Sequence, residues 1–262
     1  MAKERIDLAL VRRGLAESRE KARALIMAGQ VLVEDRVLDK AGALVAEDAS
    51  IRLREQLPYV SRGGIKLAHA LDTFGLDVRD KVALDAGAST GGFTDCLLQR
   101  GARRVYAVDV GYGQMDQRLR VDPRVVLIER TNIRYLTSLP ELPDLATIDV
   151  SFISLEKVIP PVMKLLRPEG LILALVKPQF EAGVQQVGKG GVVRDPVVHR
   201  AVLDRLGTWA ADQGLTVRGL TASPILGPKG NREFFLHLDR SERGCDFQQA
   251  LETLVPLKGR DN

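Results

Sequence analysis

Val82-Ala83-Leu84-Asp85-Ala86-Gly87-Ala88-Ser89-Thr90-Gly91-Gly92-Phe93-Thr94-Asp95 leads an apolar strand into a glycine-rich turn and out into a helix. In an open α/β sheet, a nucleotide-like cofactor binds at this junction, the carboxyl end of the first strand. A second apolar run, Val105-Tyr106-Ala107-Val108, ends on Asp109. About 20 residues separate turn and acid, which suits a carboxylate gripping ribose hydroxyls.

Around this junction, helices and strands alternate from Ser61 onward. Ser61 caps a helix that Gly75 ends. Strands are expected at 82–85, 104–109, 124–129, 145–149 and 170–176, with helices between them. The helical stretch Leu155 to Leu166 should be interrupted at Pro160-Pro161. A helix at 196–212 and strands at 215–221 and Glu233 to Leu238 follow. Alternation of this kind predicts an α/β fold with a mostly parallel, Rossmann-like sheet of seven strands covered on both faces. The last two strands should form a closing hairpin at one edge. The glycine-rich segment between Lys177 and Asp195 is long for a compact domain and follows a strand's carboxyl end, so a substrate-facing lid is expected there.

The chain ahead of this sheet reads as a small α+β domain, residues 1–56, joined by a linker at 57–60 to the large domain at 61–262. Asp7 to Arg13 is a short helical run closed by Gly14. Ser18 offers an N-cap to a second helix, and Gly29 suits its left-handed stop. Short strands follow at Val31 to Val33, Val37-Leu38 and Ser50 to Leu53. Glu34-Asp35 and Glu47-Asp48 form their turns, weaker signals than Asn-Gly. Arg12, Arg13, Arg19, Lys21 and Arg23 cluster on the two helices and make a candidate phosphate-contacting surface.

Of 262 residues, 45% are hydrophobic, enough to build a core and to argue against wholesale disorder. Net charge is +4, which permits a polyanionic partner. Residues 1–58 hold 11 basic and 10 acidic side chains, so any RNA surface there depends on placement and not on excess charge. The longest apolar run, Leu171 to Val176, is far short of a membrane span. Cys96 and Cys245 show no metal or redox spacing. These features lead us to expect a cytoplasmic protein with no metal and no membrane partner. His69, His199, His237 and Trp209 are expected to be structural or surface residues, and Phe93 to sit in the core.

The turn does not by itself choose a cofactor, because nicotinamide, flavin and S-adenosylmethionine sites all use one. Gly87, Gly91 and Gly92 do not make Gly-x-Gly-x-x-Gly, and no Gly-Lys-Ser/Thr ending is present. Asp85 to Phe93 instead resembles the first motif of S-adenosylmethionine-dependent methyltransferases. That resemblance implies a cofactor site of Asp85, Gly87, Ser89, Thr90, Gly91, Gly92 and Phe93, with Asp109 on the ribose and Asn132 beside the adenine.

Residues 4 to 54 resemble the αL-type RNA-binding domain first described in a small-subunit ribosomal protein. The match runs through Arg5-Ile6-Asp7, Gly14 to Arg23 and Ile26 to Val31. It implies docking on structured RNA by shape and backbone contacts. Arg5, Arg12, Arg13, Arg19 and Arg23 are the candidate contacts, with Arg62 and Lys189 from the large domain.

Lys66, Asp149, Lys177 and Glu233 stand out next. Each abuts apolar residues, where an unpaired charge is costly, and convergence in one cleft would relieve that cost. In this order they resemble the tetrad of RNA ribose 2′-O-methyltransferases of the FtsJ-like class. The wider chain resembles the TlyA-type family, through Tyr59 to Leu67, Asp109 to Gln114, Glu129 to Asn132, Asp149 to Ser154, Val176 to Phe180, Gly190 to Val193 and Ser223 to Asn231. The family implies methylation of ribosomal RNA on a cytidine ribose 2′-oxygen, with ribosomal RNA or a ribosomal subunit as partner. In that mechanism Lys66 holds the oxygen and the acids orient the lysines. Lys177 either takes the hydroxyl proton or stays charged and steadies the developing alkoxide. The oligomeric state stays open. Two other readings remain beside this one. The first is an RNA-binding protein whose methyltransferase half is inactive. The second is the haemolytic activity with which TlyA-type proteins are also described. A base methyltransferase ranks low, because no Asn-Pro-Pro-Tyr-type motif or catalytic cysteine pair is apparent.

Overall fold

The computed structural model describes residues 2–53 and 57–256. Contacts divide it into two compact units, 1–57 and 58–262. The expected boundary at residue 56 and the chain end at 262 lie outside the described residues.

In the first unit, helices Ile6–Arg12 and Arg19–Met27 pack over a three-stranded sheet ordered Arg36–Val37, Val31–Val33, Ile51–Leu53. Ser18 Oγ accepts from Lys21 N at 3.1 Å and starts the second helix. Gly29 stops it at φ +66°. Ile6, Ala9, Leu10, Ala22, Ile26 and Val31 make a small buried core. Glu34 and Asp35 both take positive φ, +47° and +63°, the backbone that a two-residue hairpin turn requires. A further strand pair, Lys3–Arg5 with Leu44–Ala46, was not foreseen. Strands of three residues, one of them all charged, have no readable apolar period.

The second unit holds a seven-stranded sheet. Its order is Thr216–Ala222, Phe234–Asp239, Leu171–Val176, Leu145–Ile148, Val82–Ala86, Arg104–Val108, Val125–Ile128. The last five strands in that order are mutually parallel. Val82 and Leu84 pack on one face with Tyr106 and Val108, while Ala83 packs on the other with Val105 and Ala107. Every residue of Val82–Ala86 is buried, as expected of a strand covered on both sides. The expected hairpin forms, but its second strand does not lie outermost. Phe234–Asp239 inserts between Thr216–Ala222 and Leu171–Val176, antiparallel to both. Its near-continuous apolar run fits that interior place.

Pro160 and Pro161 occupy the first turn of the helix Ile159–Leu165, where a proline forfeits no helical hydrogen bond. A separate 3-10 turn, Leu155–Lys157, precedes it. The unforeseen helix Phe247–Leu254 seats Phe247 on Gly207, whose place a Cβ would contest. Its apolar residues, Phe247, Ala250, Leu251 and Leu254, were a legible signal. Among the described residues no helix is long and apolar enough to cross a membrane.

Candidate active site

Unusual backbone recurs at the carboxyl ends of the parallel strands. Gly87 and Gly91 take φ of +89° and +91° in the glycine-rich turn. Ser89, Arg130 and Phe152, beyond three different strands, take +49°, +52° and +63°. Such conformations are costly for residues with a side chain and cluster at functional sites. Gly87 is required by approach as well as by φ: a Cβ there would stand 2.5 Å from the carbonyl oxygen of Asp149. The first strand's turn is thus pressed against the end of its neighbour.

Two cavities open at this end of the sheet. The larger, about 590 Å³, is walled by residues including Gly87, Ser89, Asp109, Asn132, Ile133 and Phe152. The smaller, about 200 Å³, is walled by residues including Ser61, Lys66, Thr90, Gly92, Phe93 and Lys177. Gly87, Ser89, Asp149 and Ser151 belong to both. A different cavity, about 210 Å³, lies at the opposite end of the strands, around Asp77, Lys81, Asp144 and Arg167.

The four charged residues meet as two ion pairs. Lys66 Nζ lies 2.6 Å from Glu233 Oε2, with both side chains almost wholly buried. Lys177 Nζ lies 2.6 Å from Asp149 Oδ1. Its hydrogen bond goes to Ser151 Oγ at 3.0 Å, and its contact with Asp149 is electrostatic and not an aligned hydrogen bond. Lys66, Asp149 and Lys177 all face the smaller cavity. Glu233 stands behind Lys66, and its Oε1 is buried without a hydrogen-bond partner. Gly227 makes room for that carboxylate, which a Cβ would overlap.

Asp109 lines the larger cavity, and its two oxygens accept from Ser89 N at 2.8 Å and Gly111 N at 2.6 Å. This knits the acid to the glycine-rich turn. The Asn132 side chain accepts from Arg134 N at 3.1 Å and starts a short 3-10 turn. Asp85 is placed differently from its neighbours in the motif. It lines neither cavity and is fully buried, with Thr94 and Thr147 hydroxyls donating to it at 2.7 and 3.1 Å. Burial pushes its carboxyl up to about 7, against the pull of those hydroxyls. Phe93 is also core, stacked on Phe235 with ring centres 6.0 Å apart, although it borders the smaller cavity.

Most of the arginines expected on RNA have intramolecular partners. Arg5 and Arg19 donate to the buried Asp7 at 3.0 and 2.9 Å, and Arg12 pairs with Glu4. Arg13 donates to the backbone oxygens of Ala49 and Glu47. Arg62 donates to the Leu226 oxygen at 2.6 Å. Arg23 and Lys189 are exposed. In the segment expected to be a lid, Pro178–Glu181 is helical and Gly188 bridges Val192. His199 is buried with its ring 3.0 Å from the Val193 oxygen, a structural role as expected. Sequence reasoning did not single out Ser151 or Phe152. Ser151 had no distinguishing signal, because Thr147 lies just as near to Asp149 in sequence. The 88% exposure of Phe152 had no sequence signal.

The match to an FtsJ-like methyltransferase model spans residues 59–240, and that to an S4 domain model spans residues 4–51. The Bacillus subtilis protein YqxC is 52% identical over 95% of this chain and 90% of its own length. The Mycobacterium tuberculosis 16S/23S rRNA (cytidine-2'-O)-methyltransferase TlyA is 45% identical over 96% of this chain and 95% of its own. A solved structure of a Streptococcus thermophilus protein, described as a candidate hemolysin, is 44% identical, covers 97% of this chain and 96% of its own, and superposes with a TM-score of 0.73. With a tetrad of paired charges at one end of a seven-stranded sheet and these matches across both units, the chain belongs to the FtsJ-like methyltransferases, in the TlyA family that carries an S4 domain ahead of the methyltransferase fold.

Proposed function

We propose that this protein methylates a cytidine ribose 2′-oxygen of ribosomal RNA in the cytoplasm, using S-adenosylmethionine. Residues 1–56 would hold the RNA and residues 61–262 would transfer the methyl group. The observation that carries this reading is the convergence of Lys66, Asp149 and Lys177 on one small cavity that opens beside a larger one.

The larger cavity fits the cofactor. Its volume suits a ligand of that size, and Val108, Val110, Ile133 and Val158 give it apolar walls. Asp109 supplies a carboxylate for ribose hydroxyls, and Asn132 lies on the same wall. The glycine-rich turn, Gly87 to Gly92, leaves room for a backbone approach to the methionine portion. Bound there, S-adenosylmethionine supplies an electrophilic methyl group on a sulfonium.

The chain's own residues must then deal with a hydroxyl, a weak nucleophile. Lys66 and Lys177 place two ammonium groups on the smaller cavity, where the 2′-oxygen would sit. Lys66 is held by Glu233 and orients the oxygen. As the oxygen gains its methyl group, its proton passes to Lys177 Nζ. Nζ can receive it once one of its N–H bonds turns from Ser151 Oγ toward Asp149 Oδ1, 2.6 Å away, and that carboxylate takes one of the protons that Nζ already carries. Ser151 Oγ fixes Nζ between the two strand ends. Phe152, exposed on the wall of the larger cavity next to the shared residue Ser151, with Phe180 4.7 Å away between ring centres, offers an apolar face to the target base.

The test is transfer of labelled methyl from S-adenosylmethionine to ribosomal RNA or isolated subunits, with 2′-O-methyl marks mapped by nucleotide. Label on a cytidine ribose supports the reading. Label on a base, or none on any RNA despite cofactor binding, overturns it.

A further inference from the structure

A second bridge lies just beyond the Asp149–Lys177 pair on both chain segments. Glu181 ends the short helix Pro178–Glu181, which starts directly after Lys177. Its Oε2 accepts from Ser154 Oγ at 2.8 Å, and its Oε1 accepts from Leu155 N at 2.8 Å. Ser154 ends the loop that begins at Asp149, and Leu155 starts the 3-10 turn that follows it. The Glu181 side chain is only 2% exposed. Arg205, from the helix Pro196–Asp212, donates to Glu181 Oε2 at 3.2 Å and to its backbone oxygen at 3.0 Å. The same guanidinium pairs with Glu156.

A buried carboxylate is costly, and an apolar side chain would fill this place more cheaply. What the carboxylate adds is two acceptors that face different elements. It joins the 149–155 loop, the helix after Lys177 and the helix Pro196–Asp212 at one point. That loop needs bracing. It includes Phe152 at φ +63°, a conformation that bulky residues keep only where their surroundings over-determine it. It also carries Ser151, which fixes Lys177 Nζ.

We propose that Glu181 is a positioning residue for methyl transfer: by binding Ser154 and Leu155 it holds the 149–155 loop against the Lys177 segment and so keeps Lys177 Nζ between Asp149 and Ser151. This rests on the function proposed above. Glu181 lines neither cavity and touches neither substrate nor cofactor; it acts through the geometry of the lysine. Displacement of a reacting group by about 1 Å can cost on the order of 100-fold in rate, so the brace has enough leverage to matter.

Glu181→Ala, Glu181→Gln and Ser154→Ala are compared with the wild-type protein and with Lys177→Met, by kcat and by S-adenosylmethionine affinity. Glu181→Ala should lower kcat on the order of 10- to 100-fold. Its cofactor affinity should fall much less than kcat, because the 149–155 loop is only one wall of the larger cavity, while Asp109, Asn132 and the glycine-rich turn stay in place. Glu181→Gln should recover part of the rate, since its amide oxygen accepts from Leu155 N and its amide nitrogen donates to Ser154 Oγ, while Arg205 loses its acceptor at Oε2. Added to Lys177→Met, Glu181→Ala should bring no further loss, because the group it positions is gone. A wild-type kcat in Glu181→Ala, or an equal further loss in the Lys177→Met background, overturns the inference while leaving the proposed function standing. If Glu181→Ala does not fold, Ser154→Ala decides: kcat should fall several-fold and by more than cofactor affinity does, and an unchanged kcat overturns the inference. A wild-type protein that transfers no methyl group overturns the proposed function, and this inference with it.

Discussion

Lys177 Nζ lies 2.6 Å from Asp149 Oδ1, joining the carboxyl ends of two adjacent parallel strands by an ion pair on a cavity wall. The pairing has a chemical consequence. An ammonium with an acid beside it can accept a proton on one side as it gives one up on the other. Replacing Lys177 by methionine keeps much of the side-chain volume and removes this relay. The expected loss is about 100-fold or more in kcat. Affinity for S-adenosylmethionine should change little, because Lys177 faces the smaller cavity. Label transfer to ribosomal RNA and calorimetric titration of the cofactor check the two halves of the expectation.

Lys66 and Glu233 pair at 2.6 Å with almost no exposure, so their balance is one of stability as well as chemistry. Removing one partner strands the other charge in the interior, at a cost of about 3–5 kcal/mol. Lys66→Met and Glu233→Gln should each lower the urea midpoint clearly. The double variant should be more stable than the sum of the two losses predicts, because neither charge is stranded. Its methyl transfer should stay low. Additive stability losses in urea melts would show that the pair is not an energetic unit.

Gly87 has no room for a side chain. Alanine there would meet the Asp149 oxygen at 2.5 Å and would have to hold φ +89°. Gly87→Ala should cost more than about 1 kcal/mol of stability. It should also weaken cofactor binding, since the turn must move away from the fourth strand. Melting temperature and cofactor titration together test this. A variant with native values on both would mean that the turn is more adaptable than its packing shows.

The sheet was legible because parallel strands covered on both faces must read as apolar runs, and Leu171 to Val176 and Val82 to Ala86 do so. Caps were legible at Ser18 and Ser61 because each hydroxyl has one local task, and both accept from the expected helix amides. The tetrad was legible in composition and order but not in pairing. Which lysine meets which acid depends on the Phe234–Asp239 strand entering beside Leu171–Val176, a choice made by long-range contacts. Arg5 and Arg19 looked like surface cations because sequence does not reveal that Asp7 is buried between them. Glu181 and Ser151 were illegible for the same reason, since a polar residue in a loop shows its partners only in the folded chain.

Asp85 gives a prediction in pH. Its carboxyl, ordinarily at 3.8, is raised by burial to about 7, with the charge of Asp149 adding to the rise. Below about pH 4 both folded and unfolded chains carry the proton, and the group's contribution to stability is fully present. Between about 4 and 7 the unfolded chain releases that proton while the folded chain keeps it. Stability therefore falls as pH rises, by up to about 1.4 kcal/mol per pH unit from this one group. Above about 7 both states are ionised and the slope ends. Asp85→Asn removes the titration but keeps the shape. It shifts the hydrogen bonds with Thr94 and Thr147 by a fixed amount that does not depend on pH. The stability difference between variant and wild type should thus move in the variant's favour from pH 4.5 to 7 and then level off. Urea melts at half-unit steps of pH measure it. A flat difference across that window would mean that the Asp85 carboxyl is ionised throughout, with its two threonine hydroxyls outweighing its burial.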